Sequence, residues 1–135
     1  MADSFHESPL IEKIAAVLSP RYRVLSLSLR ASVPYQVWAT DLVGMLDQFG
    51  FTEPALVGEG LGCLPALLVA AWYPMRVRRM VLVEPTTEPP GDTIEARGLR
   101  DCPPDWPRLR AVVRCPMLET TQLYDIEAFL AAPLP

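Results

Sequence analysis

Apolar positions recur along the chain with two periods, and the two alternate. Leu10, Ile11, Ile14, Val17 and Leu18 share one helical face, and Ser8-Pro9 before them supplies a cap and a first-turn proline. "RYRVLSLSLR" then switches to period two. Leu25, Leu27 and Leu29 fall on one face and Val24, Ser26 and Ser28 on the other, which predicts a strand over 23–29. After Pro34 the helical period returns with Trp38, Leu42, Leu46 and Phe49, and Gly50 stops it. "PALVG" predicts a short buried strand, and residues 61–73 a helix that holds Pro65 in its first turn. "RRMVLVEP" and "RAVVRCPML" read as two further strands, and "YDIEAFLAA" as an amphipathic helix ended by Pro133.

Strands that alternate with helices predict the α/β class, with a parallel sheet built from right-handed crossovers. Successive crossovers in one direction place their helices on one face, leaving the helices at the two ends of the chain to cover the other. The expected architecture is a three-layer sandwich around a short, mostly parallel sheet of about four strands. At 135 residues the chain fits one domain over 1–135. Prolines crowd "EPTTEPPGDTIEARGLRDCPPDWPRLR", so residues 86–110 are expected to form a loop, with no long helix or central strand.

Composition narrows the function classes. A net charge of −4 opposes nucleic-acid binding, which needs a basic face. No apolar run is long enough to span a bilayer, and the polar start "MADSFHESPL" does not read as a signal peptide. The expectation is a cytoplasmic protein with no membrane partner. Cys63, Cys102 and Cys115 are an odd number without metal-ligand spacing, so they read as free thiols; neither a metal nor another cofactor is expected.

The stretch with most chemical promise is "EPALVGEGLGCLPALLVAAWYP", an apolar strand, a glycine-punctuated turn and an apolar helix. Gly58 and Gly60 before a helix N-terminus suggest an anion-binding turn, and Glu84 after the next strand sits where a dinucleotide fold keeps its ribose-binding acid. Against that, the third glycine of the fingerprint falls on Cys63, and Glu59 places negative charge in the turn. Cys63 itself reads as a buried thiol rather than a nucleophile, and His6 beside Glu7 as a solvated residue near a polar terminus. Trp106, Trp72 and Tyr73 are candidates to line an apolar pocket.

"LVGEGLGCLPAL" resembles the nucleophile elbow of the α/β-hydrolases, whose pattern is Gly-x-nucleophile-x-Gly between strand and helix. Gly58 and Gly62 match the flanking glycines, Glu59 and Leu61 the intervening positions, and Gly60 the tip. "LSPRYRVLSLSLR", "WATDLVGMLDQFGF", "VRRMVLVEP" and "DIEAFLAAP" resemble the family's neighbouring elements. The resemblance implies a truncated α/β-hydrolase-like fold, with residues 86–110 as a lid remnant. It also implies that a strand between those of "RVLSLSL" and "PALVG" is lacking, leaving 23–29 as an edge. The chemistry of the family needs a nucleophile, a histidine and an acid. Gly60 has no side chain, and His6, the single histidine, is far from the position after the last strand where the resemblance puts the imidazole. Glu84 is a possible acid; Glu119 and Asp125 match the other acid position weakly.

The expectation is therefore an α/β-hydrolase-like protein without the Ser-His-acid triad, acting as a binding or accessory protein. Gly60, Leu61 and Trp106 are its candidate ligand contacts, for a small apolar ligand. The alternative is an active esterase-type hydrolase with non-standard, engineered or partner-supplied catalytic residues; a nucleotide-binding module comes third. Strand 23–29 carries no proline and no inward charge, so a homodimer or a protein partner is expected to pair with it.

Overall fold

The computed structural model describes residues 9–26, 35–85, 97, 99 and 103–132. Helix α1 (Pro9–Leu18) is followed by residues 23–26, which belong to no helix or strand, and then by α2 (Tyr35–Gln48). Strand β1 (Ala55–Glu59) turns through one 3-10 turn, Gly60–Gly62, into α3 (Cys63–Trp72). Strand β2 (Arg79–Val83), α4 (Trp106–Val112), β3 (Met117–Thr120) and α5 (Leu123–Ala131) complete the described elements. The sheet runs β1-β2-β3, all parallel, with Ala55 opposite Arg79 and Met80 opposite Met117.

The layers follow from residue chemistry. Strand β2 is buried throughout, as expected of a central strand covered on both faces. On one face Leu56, Met80 and Leu82 pack with Trp38, Leu42 and Leu46 of α2 and with α3, while Trp106 and Leu109 of α4 lean on the same cluster. On the other, Val81 and Val83 pack with Ile14 and Leu18 of α1 and Ile126 of α5. This is the three-layer α/β arrangement, with the terminal helices forming the second face. Helix α3 is apolar around its whole circumference and buries Cys63 through Ala70 without a break, so it needs neighbours on every side.

Two glycines act through backbone geometry. Gly50, at φ 76°, ends α2 in a Schellman arrangement: the Phe51 N–H donates to the Leu46 carbonyl and the Gly50 N–H to Asp47. Gly58 lies directly beneath the start of α3. A Cβ there would sit 2.7 Å from the Gly62 carbonyl oxygen and 2.8 Å from Cys63 Cα. Arg76 then ties the end of α3 to the end of α2, donating to the Thr52 carbonyl at 2.7 Å and Phe51 at 2.9 Å while pairing with Asp47 at 2.6 Å. The buried Arg79 donates from its guanidinium to the carbonyls of Phe129, Leu130 and Ala132, closing the C-terminus of α5.

Three details depart from the sequence pattern. Phe49 lies beyond the last turn of α2 and is 45% exposed, because the Gly50 reversal swings it away from the stripe. Residues 106–112 are helical: Asp105 caps the first turn by accepting from the Arg108 N–H, and Pro107 is tolerated there. The following strand therefore begins at Met117, after Pro116, rather than at Arg110. Within the expected strand 23–29, residues 23–26 are not paired as a strand and 27–29 lie outside the described residues, as do Ser8, Pro34 and most of 86–102.

Gly58→Ala is expected to destabilise the fold by about 1–3 kcal/mol, because backbone must move to admit the methyl. Gly62→Ala, at φ −63° with nothing within 4 Å of its Cβ position, is expected to stabilise it by about 0.4–1 kcal/mol. Urea unfolding of the two variants against the parent checks both signs.

Candidate functional site

The parallel sheet directs its carboxyl edge toward the β1–α3 turn, the end at which open α/β sheets place ligands. Glu59 is still extended, at φ −124° and ψ 135°, and Gly60 reverses the chain at φ 59°. The Cys63 N–H then donates to the Gly60 and Leu61 carbonyls, so the helix starts within one turn of the tip. Such a left-handed tip is strained for most residues, and glycine occupies it without that cost.

Glu59 is in register with Val83, so the next residues, Gly60 and Glu84, follow a paired position at the same edge. Glu84 is exposed and has φ 47°, the one non-glycine residue with positive φ among the described residues. Glutamate rarely adopts that conformation, and its use here turns the chain sharply away from β2. One strand further, Glu119 pairs with Arg110. Thr120 donates from its hydroxyl to Asp125 Oδ2 at 2.9 Å and accepts from the Gln122 N–H, a local network that starts α5. Glu119 and Asp125 thus have neighbours that account for them structurally. No imidazole is present among the described residues; His6 and Glu7 lie outside them. Nor does any group of three or more His, Cys, Asp or Glu residues among the described residues stand where it could hold a metal ion.

Cys63 is fully buried under the turn, its thiol donating to the Gly58 carbonyl at 3.3 Å and, more weakly, to Val83 at 3.7 Å. Burial pushes the thiol up to about 12; a backbone hydrogen bond at Val83 lowers it, and Glu119 raises it further. Fully buried and held protonated, the thiol fills the space beneath the turn.

Two cavities among the described residues border neither Gly60, Leu61 nor Trp106. Leu61 and Trp106 are half-buried and pack against the α2–α3 core. A smaller cavity of about 330 Å³ is lined by Trp72, Leu68, Pro104 and Val112, and neither Trp106 nor Tyr73 borders it. The larger one, about 640 Å³, runs along the outer edge of β1, bordered by Gly58, Glu59 and Gly62 of the turn and by α1 and α2. The sequence signal for it is indirect: the apolar stripe of α1 exceeds what a small sheet can cover.

A model of the alpha/beta hydrolase fold family matches residues 2–106. No curated protein matches the chain. No helix among the described residues is long and apolar enough to cross a membrane.

Cys63 is expected to resist thiol reagents such as DTNB in the native protein and to react once the chain is unfolded. Its raised pKa also sets a pH dependence: the protonated thiol is favoured in the fold, so its stabilisation is complete below about 9 and is lost as pH rises towards 12. Alkaline urea unfolding of Cys63→Ala against the parent checks this, with the variant losing less stability across that window.

Proposed function

The chain belongs to the α/β-hydrolase fold family, and from that premise we propose that it is a non-catalytic member, a binding or accessory protein. The observation that carries this reading is Gly60 at the left-handed tip of the strand–turn–helix, where the family's pattern places a nucleophile. The backbone of the turn supports the comparison, but the tip has no atom that can attack a carbonyl. The single histidine in the sequence, His6, precedes α1 and is remote in sequence from the segment after β3. Glu84 is beside the tip with no imidazole to orient among the described residues.

The glycine spacing of the turn supports the packing reading: Gly58 admits α3, and Cys63 fills the space below it. The same contact weakens the nucleotide reading, because the third fingerprint position holds a buried thiol and Glu59 borders the turn. Free thiols at Cys63 and Cys115 agree with a cytoplasmic location, which we include in the proposal.

Hydrolysis of p-nitrophenyl acetate is expected to stay at background for the protein and for Gly60→Ser. A general base typically contributes about a hundredfold to ten-thousandfold, and a serine alone lacks it. Turnover that is lost on substitution of Glu59, Cys63 or Glu84 overturns the proposal in favour of an esterase with unusual residues. Calorimetric titration with NAD and ATP is expected to show no binding; a micromolar dissociation constant would favour the nucleotide module.

A further inference from the structure

Helix α5 is attached to the sheet more lightly than α3. Ile126 is its one fully buried residue, with Leu123, Phe129 and Leu130 half-buried against the cluster around Val81 and Val83. Helix α3 by contrast buries Cys63 through Ala70 without a break. At nine residues α5 is also shorter than the roughly 12–15 that an isolated helix needs to persist in water. It is helical because it is docked, so leaving the sheet and unwinding are one step.

Each end of α5 is tied by one side chain from a strand. At the amino end, Thr120 of β3 accepts from the Gln122 N–H at 3.0 Å and donates to Asp125 Oδ2 at 2.9 Å. At the carboxyl end the helix has no basic residue in its own last turn, and β2 supplies the cation. Arg79 donates to the carbonyls of Phe129, Leu130 and Ala132, groups that lack intrahelical donors at a helix end. The guanidinium is buried, so these dipoles and the Phe129 ring solvate it in place of water. All three acceptors belong to one turn, and a displacement of that turn removes them together. Once released, the guanidinium regains water, so the open form carries no stranded buried charge.

We propose that α5 is a latched strap: it opens from the sheet as one cooperative unit while the rest of the fold stays closed, and Arg79 is the latch that sets how often it opens. The residues that hold the remainder together, Trp38, Leu64 and Leu67 among them, form a separate cluster on the opposite face of the sheet. Opening therefore leaves that core intact. It removes the Ile126 side of the cover over Val81 and Val83, and it frees the guanidinium in the same event. The closed form hides both. The inference concerns the α1–α5 face and holds whether or not the Gly60 turn is catalytic.

Native-state hydrogen exchange of the full chain, followed by NMR at low urea, tests this. In the parent, the protected amides of α5 are expected to share one opening equilibrium, at least about tenfold more populated than the opening that exposes Leu67 and Leu68 of α3. Arg79→Met is expected to speed exchange along the whole of α5 about tenfold or more, and Arg79→Lys, which keeps the charge but not the fork, by less. Thr120→Val, at the other end of the helix, is expected to speed it about threefold. The decisive reading is the end far from each substitution: Ile126 for Arg79→Met, and Ala132, whose N–H donates to the Ala128 carbonyl, for Thr120→Val. Both far ends are expected to respond, with Leu67 and Leu68 unchanged. Three results overturn the inference. One is α5 amides that exchange in the parent only when those of α3 do. Another is a variant that speeds its near end alone, which means fraying. The third is Arg79→Met lowering the protection of α3 as much as that of α5, which makes Arg79 part of the core and no latch.

Discussion

The approach of α3 to Gly58 is the constraint on which the other packing depends. The helix axis can come down onto the sheet only because no Cβ stands between β1 and the Gly62–Cys63 backbone. Once seated, α3 presents apolar residues in every direction, and α2 and α4 find their places against it. Arg76 then holds the far end of α3 to the end of α2 through the Phe51 and Thr52 carbonyls. The tight turn between β1 and α3 is thus a packing device for the whole of the α2–α3–α4 face.

The two faces of the sheet are built differently. The α2–α3–α4 face is continuous and centred on side chains with no exposure at all, including Trp38, Leu64 and Leu67. The α1–α5 face is smaller and includes a buried cation, Arg79, that is neutralised by carbonyl dipoles at a helix end instead of by a carboxylate. Its guanidinium also lies 5.8 Å from the Phe129 ring centroid, so the aromatic ring contributes to solvating it.

Much of this fold was legible in the residues because period and punctuation agreed. The α2 stripe with its Gly50 stop, the unbroken apolar run of β2 and the glycines around β1 each pointed to one local structure. Residues 106–112 were harder to read because proline signals a loop when counted but a helix start when it follows a capping aspartate; Asp105 and Pro107 together decide for helix. The helical stripe places Phe49 on the buried face, but the Schellman turn at Gly50 reverses the chain before that face continues. Of the candidate site, the empty tip at Gly60 and the buried thiol at Cys63 could be foreseen from side-chain chemistry. The cavity beside β1 could not, since its lining comes from α1, α2, β1 and residues 22–26 together and no single stretch of sequence encodes it.

The reach of Arg79 has a consequence for how the molecule is made. Its partners at Phe129 and Leu130 lie 50 and 51 residues further along the chain, whereas the β1–α3–β2 unit is assembled from neighbours in sequence. During synthesis from the amino terminus, β1, α3 and β2 can pack before α5 exists. Until it arrives, Val81 and Val83 are covered by α1 but lack Ile126, and Arg79 has no carbonyls to receive it. The nascent chain therefore passes through a stage in which the α1 face is only half-covered, and the time taken to reach α5 governs how long that stage is open to aggregation.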